Sequence, residues 1–193
     1  MGGRDVVRDL ASKYVLFSCE GTAEEVIISK LHEGGRLAVP RERVVEDLIY
    51  FTPYTRLRKA EQIAQRFFGA SYVAGGASGL LLARIVDSRA GRFVLPRRWA
   101  GSCVVESFFT RPEIEILTIH AEEAFGIWLR ESRRNRQLRP SEFCKGSLGL
   151  RDIKSRGFLE SFWTADRLVQ AIHDYDEHRN RSSGELSLGD LLR

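Results

Sequence analysis

Three apolar runs constrain this fold more than anything else in the sequence: YVLFSC at 14–19, GLLLARIVDS at 79–88 and CVVESFF at 103–109. Each is a largely apolar run of strand length, so each reads as a buried strand. Helical periodicity falls between and after them. Residues 23–32 place Val26, Ile27, Ile28 and Leu31 on an inner face, and the sequence EGG then ends the helix. Thr22 is its expected N-cap, with Glu25 three residues on as the capping-box partner. RVVEDLIYF (43–51) predicts a further strand broken by Pro53, FVL (93–95) an extra one, and 56–69 a helix with a glycine stop. After Pro112 a helix is expected through PEIEILTIHAEEAFGIWLRESRR, with proline at the first helical position, where its missing N–H costs nothing. This order, β-α-β-α-β-β-α, predicts an α/β fold with a mostly parallel sheet flanked by helices. The tail differs in kind. PSEFCKGSL (140–148) and residues 157–180 read as helices, with Thr164 capping the last of them. The expected organisation is an α/β domain over 12–138 with a C-terminal helical extension, 139–193, packed on it.

Several function classes are disfavoured at once. No run approaches the ~20 apolar residues of a membrane span, and MGGRDVVRDL is too polar and acidic for a signal peptide. Cys19, Cys103 and Cys144 are odd in number and far apart, which predicts reduced thiols in a cytoplasm rather than a disulfide framework or a zinc site. Net charge is +4 and the pI about 9.1, compatible with nucleic acid without demanding it. Basic islands at 55–66, 97–99 and 130–139 separate acidic clusters at 20–25, 42–47, 113–123 and 174–177. Basic patches flanking an acidic centre would suit phosphate at the rim and a metal in the middle.

In open α/β sheets, ligands bind beyond the carboxyl ends of the strands. Glu20 ends the first run, Asp87 the one at 79–88, and Glu113 with Glu115 opens the segment after CVVESFF. Glu24 projects from the first turn of the helix after Glu20. A carboxylate closing a buried strand must be solvated, paired or metal-bound, because burying it alone is prohibitive. Such hard oxygen donors suit Mg2+ or Mn2+.

CEGTAEE, RIVDSRAG and TRPEIEIL, in this order and on these elements, resemble the Toprim fold, most closely the small Toprim proteins of the RloB and OLD-nuclease kind from prokaryotic anti-phage defence. In that family a strand ends in Glu-Gly, a second Glu follows four residues on, a later strand ends in an Asp motif, and another acidic motif follows the next strand. The resemblance spans about residues 14–130 and implies that Glu20, Glu24, Asp87 and Glu115 hold Mg2+ or Mn2+ and cleave phosphodiesters in DNA or RNA. Toprim sites commonly read Asp-x-Asp; here Arg89 stands at the second position, where it cannot ligate a metal but can clamp a phosphate. That points to one metal rather than two, or to none. Arg56, Arg58, Lys59 and Arg89 are the expected phosphate-binding residues.

Two other readings stay open. One is a catalytically degenerate sensor or adaptor that binds nucleic acid or a nucleotide and works with a partner such as an ATPase. The other is an interaction subunit whose acidic residues only cap helices; a homo-oligomer is compatible with every reading. Of the remaining candidates, His120 reads as a core or rim histidine, and His173 and His178 are too badly spaced for a metal pair. Cys144 reads as a structural thiol despite Lys145 beside it. GGASG (75–79) lacks the P-loop Lys-Ser/Thr, and Trp99, Trp128 and Trp163 read as core.

Overall fold

The computed structural model describes residues 3–69, 72, 76–87, 93–99, 101–179 and 182–193. Five strands form one sheet: β1 (Tyr14–Cys19), β2 (Tyr54–Thr55), β3 (Leu80–Val86), β4 (Cys103–Phe109) and β5 (Leu186–Ser187). Every pairing is parallel and the spatial order is β2-β1-β3-β4-β5. The eight helices among the described residues are α1 (Gly3–Ser12), α2 (Thr22–Glu33), α3 (Ala60–Phe67), α4 (Ile116–Ala121), α5 (Phe125–Arg134), α6 (Pro140–Gly146), α7 (Arg156–Phe162) and α8 (Ala165–His178).

Alternation along β1 and β3 explains why both are apolar at most positions. Val15, Phe17 and Cys19 of β1 and Leu81, Ala83 and Ile85 of β3 face a large core shared with α1, α2, α4 and α8. Leu16, Leu80 and Leu82 face the opposite side, against Ile63, Ala64 and Phe67 of α3. Both faces are therefore covered, as a parallel sheet requires. The tail belongs to the same body: α7 and α8 pack on α2, α8 also packs on α4, and β5 extends the sheet beside β4. Gly34 marks how closely they approach, since a Cβ there would lie 2.3 Å from the Cβ of Ala165 at the start of α8.

Four expectations fail. Residues 43–51 form no strand. Asp47 is fully buried, pairs with Arg66 and accepts from the Ile49 N–H at 3.1 Å, while its carbonyl accepts from the N–H groups of Tyr50 and Phe51. These bonds turn the chain, with Phe51 in the left-handed region at φ 52° and 82% exposed. FVL is likewise not a strand. The helix expected from Pro112 starts at Ile116, because Glu113 is drawn aside to accept from the Ser141 N–H at 3.1 Å. It then breaks at Glu123 (φ 53°), which lets Phe125 fold back and stack on His120 at 4.3 Å. Finally, Gly21 rather than Thr22 is the N-cap of α2, and no side-chain cap bond forms. Thr164 does cap α8, accepting from the Arg167 N–H at 3.2 Å. The amphipathic helix α1, with Val6 and Leu10 buried one turn apart, is an element the sequence reading did not identify.

Candidate functional site

The chain's acidic strand ends meet because β1, β3 and β4 are parallel neighbours in register. Cys19 pairs with Ile85 and Ile85 with Phe108, so the three carboxyl ends lie side by side. Immediately beyond them is a cavity of about 280 Å3 whose wall includes Glu24, Asp87, Glu113, Glu115 and Lys154. Glu24 and Glu115 are buried, 7% and 6% exposed, while Asp87 is exposed. Three of the four expected acidic residues thus share one cavity. Glu20 stands next to it, half-buried in the bend after β1; it does not line the wall, but its charge acts on Glu24.

Glu24 sits at the third position of α2, and its carboxylate folds back over the first turn. A Cβ on Gly21 would come within 2.9 Å of its Oε2, so the glycine makes room for this conformation. Burial raises the Glu24 pKa above the ordinary carboxylate value, and the negative charges of Asp87, Glu115 and Glu20 raise it further. A bond from its own backbone N–H pulls the other way and does not prevail.

Its sequence neighbour Glu25 has a different environment. Glu25 pairs with Arg56 at 2.8 Å and with Arg156 at the start of α7, and the Tyr54 hydroxyl lies 3.4 Å away. The expected capping-box residue is therefore a buried ionic hub joining α2 to β2 and to the tail. Arg56, expected on phosphate, is bound to this carboxylate instead. Arg58 donates to the backbone carbonyl of Glu20, and Lys59 is exposed at the N-cap of α3, so the 56–59 cluster does flank the strand ends. Arg89 lies outside the described residues.

The tail contributes what the sequence reading missed. Lys154 reaches into the cavity and pairs with Glu115 at 3.3 Å, although its side chain is 57% exposed. Neither Lys154 nor Arg156 belongs to a motif, and only the docking of α7 on α2 brings them here.

The carboxylate oxygens of Glu24, Asp87, Glu113 and Glu115 on the cavity wall are of the kind that suits a hard divalent cation, with the Lys154 ammonium beside them. As the side chains stand, no three His, Cys, Asp or Glu groups among the described residues are close enough to ligate one ion. Other candidates fall away from the site. Burial pushes the Cys144 thiol up to about 12, with the charge of Glu115 adding to it, so it stays protonated and inert. Trp128 and Trp163 are buried in the core, and Trp99 packs edge-on against Phe68. His173 is exposed on α8. Among the described residues, no helix is long and apolar enough to cross a membrane. Compared with protein-family models, with curated proteins and with solved structures, the chain matches none.

Proposed function

We propose that this protein is a Toprim-like metal-dependent nuclease that hydrolyses phosphodiesters in DNA or RNA, acting in anti-phage defence. The observation that carries the reading is the convergence of Glu24, Asp87 and Glu115, from three separate segments, on one cavity at the carboxyl edge of a parallel sheet. With Glu20, these residues would hold Mg2+ or Mn2+, which when bound supplies charge neutralisation at the phosphate and a more acidic water. Glu24, whose pKa burial raises above the ordinary carboxylate value, is the carboxyl of this cavity that would exchange a proton at its Oε atoms. Lys154 Nζ can neutralise a phosphate oxygen as readily as it does Glu115. Arg58, beside the end of β1, and Lys59 would contact an entering nucleic-acid backbone, with Arg89 as a further phosphate clamp by resemblance.

Lys154 also favours a second reading. A lysine paired inside the cavity, with no acidic trio in ligating reach among the described residues, suits a nucleotide- or nucleic-acid-binding adaptor that serves a partner such as an ATPase.

One experiment separates the two. Labelled single- and double-stranded DNA and tRNA are incubated with the protein and Mg2+ or Mn2+, beside a binding titration across salt. A nuclease loses cleavage on Glu24→Gln or Asp87→Asn yet keeps binding, whereas Arg58→Ala weakens binding and lowers the salt slope by about one phosphate contact. Binding without cleavage under both metals selects the adaptor. Neither binding nor cleavage removes both readings and leaves the interaction subunit.

A further inference from the structure

A second cavity, of about 160 Å3, shares no lining residue with the carboxylate site. It lies between the segment after β4, the two helices α4 and α5, and the last turns of α8. Ile116, Phe125, Trp128, Leu129 and Tyr175 give it a largely apolar, aromatic wall. Two polar groups on that wall are left over. His120 is 5% exposed, and its Nε2 is buried with no hydrogen-bond partner among the described residues. Arg111 places Nη1 3.2 Å from Glu185, but its Nη2 is buried and equally unpartnered. Buried polar atoms are nearly always satisfied in native proteins. Two exceptions on one small cavity call for a common cause.

Size and lining define what would satisfy both. An apolar cavity of about 150 Å3 is enough to take up benzene, so this one accommodates a single ring. Phe125, stacked on His120 and 4.8 Å from His178, together with Trp128 and Tyr175, offers ring faces and edges of the kind aromatic ligands prefer. Arg111 Nη2 can only donate, so the ring must carry an acceptor. The mouth is open, since His178 and Leu129 are exposed. We propose that this cavity is a binding site for a small single-ring aromatic compound bearing a carboxylate or carbonyl group, its ring against Phe125 and Trp128 and its oxygen on Arg111 Nη2, within reach of His120 Nε2. Burial lowers the His120 pKa to about 4, so at neutral pH the imidazole is uncharged and takes part as a neutral hydrogen-bonding group. The site is independent of any nuclease activity.

The test uses the full chain labelled with nitrogen-15 in its histidines, titrated with benzoate and, as controls, cyclohexanecarboxylate and acetate. Benzoate should shift the His120 ring resonances saturably, and both controls should bind at least about tenfold more weakly, a difference of about 1.4 kcal/mol. Leu129→Trp, a change at the exposed rim, should fill the cavity and weaken benzoate at least about tenfold, and Arg111→Gln should weaken it while leaving the far-ultraviolet spectrum unchanged. The proposal is overturned if benzoate leaves His120 unmoved in the wild-type protein, if cyclohexanecarboxylate or acetate binds as tightly, or if folded Leu129→Trp binds benzoate like the wild type.

Discussion

Replacing Glu24 by glutamine removes one negative charge from a buried position while keeping the side chain's shape, and the geometry of the cavity sets the direction of the result. A cavity of about 280 Å3 has an equivalent diameter of about 8 Å, and two unit charges that far apart repel by about 2 kcal/mol at an effective dielectric of about 20. Salt at ~0.15 M and the exposure of Asp87 reduce this to well under about 1 kcal/mol per pair. Burial of the carboxylate is the largest cost, and Asp87, with smaller shares from Glu115, whose charge Lys154 offsets, and from Glu20, adds somewhat under about 1 kcal/mol. Against this, glutamine forfeits the favourable placement of a charge at a helix N-terminus, about 0.5 kcal/mol. The raised pKa of Glu24 means that the unfavourable side prevails. Glu24→Gln should therefore stabilise the protein by about 1 kcal/mol at pH 7.5. Between the ordinary carboxyl value and the raised one, the folded state binds more protons than the unfolded, so wild-type stability falls as pH rises through that window. The advantage of the variant should thus be full above the raised value and vanish below about pH 4. Urea denaturation of both proteins from pH 4 to 8, with and without Mg2+, measures this. Mg2+ should stabilise the wild type more than the variant. A variant no more stable than wild type at pH 7.5, or a difference that does not close toward pH 4, refutes the electrostatic reasoning; equal stabilisation of both by Mg2+ refutes the cation.

Asp47→Ala should cost about 3 kcal/mol in urea denaturation, because it leaves Arg66, only 24% exposed, without its partner and removes the side-chain acceptor of the Ile49 N–H. A loss below about 1 kcal/mol would show that the pair only breaks even against its desolvation. The two threonines at helix starts should behave differently. Thr164→Ala should lower stability by about 1 kcal/mol and Thr22→Ala by under about 0.5 kcal/mol, since only Thr164 makes a cap bond. Equal losses in thermal melts would return Thr22 to the capping role.

How much of this was legible depends on whether one segment or several decide the outcome. β1 and β3 were readable because both of their faces are buried, so the sequence is apolar at almost every position; β4 is half-buried apart from Phe108, and its CVV and FF runs still read as a strand. Residues 43–51 have the same apolar character, but one buried aspartate with local bonds to three backbone N–H groups outweighs it; Leu48, Ile49, Tyr50 and Phe51 end in solvent. The proline helix was misplaced because Glu113 answers to Ser141, a residue 28 positions away. The acidic residues of the site were legible as strand ends, since parallel topology alone brings such ends together. Lys154 and Arg156 were not, because no local pattern reveals where the loop before α7 docks.

Glu24 and Glu25 carry the argument one step further. They are adjacent on the first turn of one helix, equally buried, and equally suited in composition to serve the helix dipole. Yet the fold supplies Glu25 with Arg56, Arg156 and the Tyr54 hydroxyl, while Glu24 faces Asp87 and Glu115 with no ion pair among the described residues. If these carboxylates served only to stabilise the helix start, nothing would separate the two. Leaving one buried carboxylate among others of the same sign opposes stability, and a local conflict of that kind is what functional sites display. On the proposed reading the same contrast divides the roles: Glu25 holds the tail against the sheet, and Glu24 would be the group available for chemistry at its edge.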